Sequence, residues 1–159
     1  MPPALDALDG RLIAILAEAP RASVVDIARR LGVARGTVQA RLDKLVQRGI
    51  LTGFGPDIDL GRIGYGVTAF TTLEIAQGRL DDVVDHLREI AEVLEVHSVI
   101  GSGDLLCRVV APTNADLQTV LSRMLEVHGI GRTTTVIALT AQIPHRVLPL
   151  VAEAAHDHS

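Results

Sequence analysis

Between Ser23 and Gly49 the sequence carries two apolar stripes of helical period with only Gly32-Val33-Ala34 between them. The first stripe is Val24, Ile27, Ala28 and Leu31, introduced by Ser23 as a cap with Asp26 three residues on. The second is Val38, Leu42, Leu45 and Val46, closed by Gly49. Two short helices joined by a glycine turn form a helix-turn-helix. Upstream, Leu8, Leu12, Ile15, Leu16 and Ala19 predict another helix from Leu5 to about Ala19, with Asp6 and Asp9 at its positive end and Pro20 terminating it.

The charge distribution says what such a unit meets. The net charge is −4, yet residues 1–65 hold nine basic and seven acidic side chains, while residues 66–159 hold six and twelve. Within 21–48, Arg21, Arg29, Arg30, Arg35, Arg41, Lys44 and Arg48 face only Asp26 and Asp43. A local basic patch releases counterions from double-stranded DNA whatever the global charge. On the second helix, Gly36, Gln39, Ala40, Asp43 and Gln47 lie opposite the apolar stripe, and Gly36 and Ala40 allow close approach to a groove floor. Arginine pairs with guanine edges and glutamine with adenine edges, so Arg35 and Gln39 are the candidate base readers. Thr37, Arg41 and Lys44 suit phosphates, with Arg30 reaching backbone or water. Arg41 has a second reading, as a structural partner of Asp26 or Asp9.

After this unit, Ile50–Asp59 places β-favouring residues around a Gly-x-Gly-Pro turn, which predicts the hairpin of a winged helix. Gly61, Gly64 and Gly66 suggest a hinge. The remainder reads β-α-β-β-α-β: strand 67–75, helix 80–90, strand 94–100, strand 105–110, helix 115–125 and strand 132–143. The expected fold is therefore α+β, a winged helix-turn-helix followed by a ferredoxin-like αβ-sandwich with both helices on one sheet face. Neither alternating set of side chains in Thr133–Ile143 carries a charge, and strand 67–75 has only Glu74. A sheet that is semi-apolar on both faces implies that a second copy covers the open one. The expected limits are 1–60 for the first domain, 61–66 for the hinge, 67–150 for the second domain and 151–159 for a tail.

The turn Gly101-Ser102-Gly103-Asp104 has two readings. It is a hairpin turn, or it is a cradle whose backbone amides meet an amino acid's carboxylate while Asp104 meets its ammonium. Signals for catalysis are poor: no glycine-rich phosphate loop or G-x-S-x-G is present, and Cys107 lies in an apolar strand. The only histidine pair at metal spacing is His156-x-His158, in the tail, so no metal and no cofactor are expected. One cysteine, no apolar run of membrane length and no signal-like N-terminus point to the cytoplasm and away from a membrane.

Together these segments resemble the Lrp/AsnC (leucine-responsive regulatory protein / asparagine regulator) family of transcription factors over about residues 5–150. The resemblance rests on Leu5-Asp6-x-x-Asp9-x-x-x-Ile13-x-x-Leu16, Pro20-Arg21-Ala22-Ser23, Thr37-Val38-x-x-Arg41-Leu42-x-x-Leu45-x-x-x-Gly49-Ile50-Leu51, Gly101-x-x-Asp104 and Leu148-Pro149-Leu150. It implies a non-enzymatic regulator binding promoter DNA, dimers assembling into tetramers or octamers, and amino-acid effectors at subunit interfaces. Ile100, Gly101, Ser102, Gly103, Asp104 and Thr134 are then the candidate effector contacts, and the cradle reading rises above the plain turn. The family usually has serine where Ala34 stands, so this helix lacks a cap of about 1 kcal/mol. Two alternatives use the same fold: a sirohaem decarboxylase-like enzyme, and an amino-acid sensor that binds no DNA. An RNA-recognition module is disfavoured because 105–110 lacks stacking aromatics.

Overall fold

The computed structural model describes residues 5–156, divided into two compact units. One comprises the chain up to Pro56 together with the stretch from Ile143 onward, and the other is Asp57–Gln142. The first unit opens with α1 (Ala7–Glu18), α2 (Val24–Leu31) and α3 (Arg35–Gln47). Helix α1 starts in a reciprocal capping box: the Asp6 carboxylate accepts from the Asp9 amide at 2.8 Å, and Asp9 accepts from the Asp6 amide at 3.3 Å. Helix α2 is capped by Ser23 Oγ, which accepts from the Asp26 amide at 3.1 Å, and ends at Gly32 with φ +70°, a conformation that suits glycine. Ala34 gives α3 no side-chain cap, as its side chain requires. Leu12, Ile13, Ile27, Ala28, Leu31, Val38 and Leu45 converge in one core.

The second unit contains β1 (Val67–Ile75), α4 (Leu80–Arg88), β2 (Val93–Ser98), β3 (Leu105–Ala111), α5 (Asn114–Met124) and β4 (Ile130–Ala138). Its sheet runs β2-β3-β1-β4 with every neighbouring pair antiparallel. Ala69 and Leu73 of β1 and Leu105, Cys107 and Val109 of β3 pack with Val83 and Leu87 of α4 and Leu117, Val120 and Met124 of α5. Both helices therefore cover one face. Strand alternation turns Thr68, Phe70 and Thr72 to the other, beside their partners Ala138, Val136 and Thr134. That face leaves Phe70 37% and Val136 59% exposed, and is the semi-apolar surface that the strand patterns predict.

Three boundaries differ from expectation. Residues 52–59 form no strand, so the hairpin wing is absent. The amides of Ile50 and Leu51 both turn back to the Leu45 carbonyl at the end of α3, and Gly53, Gly55 and Pro56 weaken any ladder beyond them. The last strand ends at Ala138, because its partner β1 begins at Val67, opposite Leu139, and offers no residue to pair with Thr140–Ile143. Finally, the expected tail carries helix α6 (Leu148–His156), which belongs to the first unit and not to the second. It packs on α1 so closely that a Cβ at Gly10 would lie 2.8 Å from the Ala155 Cβ. A side chain at position 10 would push the helices apart. Of the paired tail histidines, His156 bonds through Nδ1 to the Ala152 carbonyl, and His158 lies outside the described residues.

Candidate nucleic-acid interface and effector loop

The inner side of α3 is fixed in two ways. Val38 and Leu45 are each 1% exposed, and beside them Arg41 reaches back to α1. Its Nη1 donates to Asp9 Oδ1 at 3.0 Å and also to Asp6 Oδ2. Hydrogen bonds from Arg41 to Asp6 and then Asp9 raise the guanidinium pKa further above its ordinary value. Burial would raise Asp6, but the Asp9 amide and Arg41 outweigh it and hold that carboxyl below the usual range. Arg41 is thus a structural clamp between α3 and α1, the second of its two readings. Of the two partners considered, Asp9 is one; Asp26 instead accepts from Ser23 Oγ at 2.7 Å and pairs with Arg29 at 3.3 Å.

The outer side of α3 presents Arg35, Gly36, Thr37, Gln39 and Lys44, all exposed. Arg30, at the end of α2, stands 3.7 Å from Glu18 of α1, a surface pairing that salt and a competing phosphate would displace. Gln39 Nε2 donates to Asp43 Oδ1 at 2.8 Å, one turn further along the same helix. Sequence reasoning placed Asp43 on this face without giving it a role. The i, i+4 spacing of glutamine and aspartate was the signal for the contact.

At the β2–β3 loop, Ile100, Gly101 and Ser102 are exposed, and Gly101 has φ +153°. The next two residues are docked on β1. A Cβ at Gly103 would lie 2.3 Å from Thr72 Cγ2 and 3.1 Å from the Leu73 carbonyl oxygen, so only glycine allows the loop to lie here. The Asp104 amide donates to the Leu73 carbonyl at 2.8 Å, and its carboxylate accepts from the Ile75 amide at 2.6 Å. The β1–β3 ladder ends at Leu73↔Leu105, so Asp104 takes over a β1 amide just beyond it. One oxygen of Asp104 therefore serves the fold. Thr134 sits across from Thr72 on the open face, and Thr72 is the residue a Cβ at Gly103 would meet.

Other reactive side chains are built into the framework. Cys107 is fully buried on β3, and burial pushes its thiol up to about 11, which suppresses the reactive thiolate. On β2, His97 Nε2 meets Glu95 Oε2 at 3.2 Å. His97 and then Arg108 hold the Glu95 carboxyl below its ordinary range. Among the described residues no three His, Cys, Asp or Glu side chains are grouped to hold a metal.

The sequence model of the AsnC-type helix-turn-helix domain matches residues 5–46, and that of the Lrp/AsnC ligand binding domain matches residues 68–148. The HTH-type transcriptional regulator FL11 of Pyrococcus horikoshii is 27% identical over 92% of this chain and 97% of its own length. The structure is similar to that of E. coli AsnC, with a TM-score of 0.85 at 26% identity, covering 91% of this chain and 99% of that one. It is also similar to a feast or famine regulatory protein from M. tuberculosis complexed with L-methionine, with a TM-score of 0.78 at 28% identity over 90% of this chain and 97% of that one.

Proposed function

This chain belongs to the Lrp/AsnC family of transcriptional regulators, and on that premise we propose that α3 reads promoter DNA in the major groove while the β2–β3 loop senses an amino acid. The observation that carries the reading is the division of α3. Its inner side is locked by Val38, Leu45 and the Arg41 clamp, and its polar outer side stands clear for a groove. Arg35 and Gln39 would meet base edges, with Thr37, Lys44 and Arg30 on phosphates. The exposed Phe70–Val136 face pairs two copies, and such dimers would assemble into tetramers or octamers. The effector acts as a ligand and not as a cofactor, and the reading assigns the chain no catalytic step. Its place of action is the cytoplasm, where promoter DNA lies. Among the described residues, no helix is long and apolar enough to cross a membrane.

Binding to promoter fragments selected from the source genome tests the DNA half. Arg35→Ala should weaken binding by about 1–3 kcal/mol with the melting temperature and oligomer size unchanged. Equal affinity for wild type and variant removes Arg35 from the base-reading set.

The effector half is supported by the L-methionine complex of the M. tuberculosis relative and by the glycine-built loop at 101–104. A thermal-shift screen of the twenty amino acids should find at least one that stabilises the wild type. In Asp104→Ala the Ile75 amide loses its acceptor and the loop lifts, so the ligand-induced shift should vanish while DNA binding persists. Identical ligand shifts in the two proteins would overturn the assignment.

A further inference from the structure

We infer that Asp43 is a specificity-determining residue, which holds the Gln39 amide in the one orientation that reads adenine. The inference rests on the DNA-reading role of α3 proposed above. A free glutamine is an ambivalent reader. Its terminal amide rotates at little cost, offering either an oxygen to adenine N6–H or nitrogen donors to guanine N7 and O6. In this protein the ambiguity is removed. A carboxylate can only accept, so the 2.8 Å contact between Asp43 Oδ1 and Gln39 requires Nε2 to be the atom turned toward Asp43.

One N–H of the amide is then used, the second remains for a base N7, and Oε1 points away from Asp43 as an acceptor. A donor and an acceptor side by side match the N7 and N6 groups of adenine. Guanine presents two acceptors there, N7 and O6, and would meet Oε1 and the nearby carboxylate with repulsion. Arg35, Gln39 and Asp43 follow one another at intervals of one turn, about 6 Å along the axis. The face therefore carries, in order, a guanine reader, an orientated adenine reader and the anion that orients it.

Placing a carboxylate on a surface that faces phosphates weakens overall binding, since like charges repel across the interface. Asp43 thus trades affinity for discrimination. This gives it a signature that a residue serving only helix stability would not have. Both Asp43 and Gln39 are exposed and neither contributes to the core, so substitutions here leave the fold intact.

The experiment is selection from a randomised duplex DNA library with the full-length protein, followed by affinity measurements on the selected site and on its single-base variants. Wild type should enrich an adenine at one position of each half-site, with about tenfold discrimination against guanine. Gln39→Ala should lose the preference at that position alone. Asp43→Ala should bind the selected site about threefold more tightly at low salt, yet discriminate adenine from guanine by threefold or less. Asp43→Asn should bind more tightly as well but also discriminate less than wild type, because its Nδ2 can donate to Gln39 Oε1 with the glutamine amide turned round. Full adenine discrimination in Asp43→Ala or in Asp43→Asn overturns the orienting role. If wild type enriches no sequence at all, the DNA-reading proposal itself fails, an outcome distinct from an enriched site that ignores position 43.

Discussion

Arg41→Ala is expected to lower the melting temperature of the helix-turn-helix unit by about 10 °C, followed by helical circular dichroism, whereas Arg35→Ala leaves it unchanged. The two arginines lie six residues apart on one helix and both belong to its basic patch, so charge alone does not separate them. Their surroundings do. Arg41 is only 30% exposed and joins Asp9, itself 5% exposed, to Asp6. Removing the guanidinium strands the Asp9 carboxylate in the α1–α3 interface, with the Asp6 amide at 3.3 Å as its remaining donor. Breaking a fully buried pair costs about 3–5 kcal/mol. Partial exposure here reduces that to about 2 kcal/mol, which for a unit of this size is on the order of 10 °C. In an Asp9→Asn background, where no charge is stranded, Arg41→Ala should cost less than half as much. An equal loss in both backgrounds would show that Arg41 stabilises by its hydrocarbon stem and not as a clamp.

Gly103→Ala carries the second large effect, in the other unit. One methyl group at this position meets Thr72 Cγ2 at 2.3 Å and the Leu73 carbonyl oxygen at 3.1 Å. To relieve the clash the loop must rise from β1, which stretches both Asp104 contacts, at 2.8 Å to the Leu73 carbonyl and 2.6 Å to the Ile75 amide. Overpacking of this kind costs about 1–3 kcal/mol, and the stretched Asp104 hydrogen bonds, which lie at the exposed rim, add little to it. Thr72→Ala deletes the methyl group that is struck, so the double variant should regain much of the lost stability. Calorimetry on the four proteins decides the matter: without that recovery, the tight approach of loop and strand is not what makes glycine necessary.

Much of this architecture is legible in the sequence because the chain is locally consistent. Val67–Ile75 reads as a strand from its β-favouring residues, and the ladder confirms both ends. Ser23 and Gly32 bracket α2 by cap chemistry that depends on nearest neighbours alone. The misreadings share a cause, which is that distant residues decide them. The wing at 50–59 looks like a hairpin until the Leu45 carbonyl claims the first two amides. Residues 151–159 look like a tail because, Val151 aside, their apolar side chains are alanines, and only the notch at Gly10 turns Ala155 into a core residue. The candidate sites divide in the same way. Arg35, Gln39 and Lys44 could be placed on an exposed face by helical period. The alternatives for Arg41 needed α1, and the first duty of Asp104 needed the Ile75 amide beyond the end of the β1–β3 ladder.

The notch between Gly10 and Ala155 also sets an order of events in biosynthesis. A chain emerging N-terminus first has formed α1, α2 and α3 by Gln47, yet the helix that covers Gly10 begins only at Leu148. At ordinary elongation rates that interval lasts on the order of ten seconds, during which the side of α1 around Gly10 is bare. The unit that meets DNA is therefore completed last, after the whole sheet domain has been synthesised. A nascent chain cut short anywhere in the second domain leaves behind a reader that was never finished.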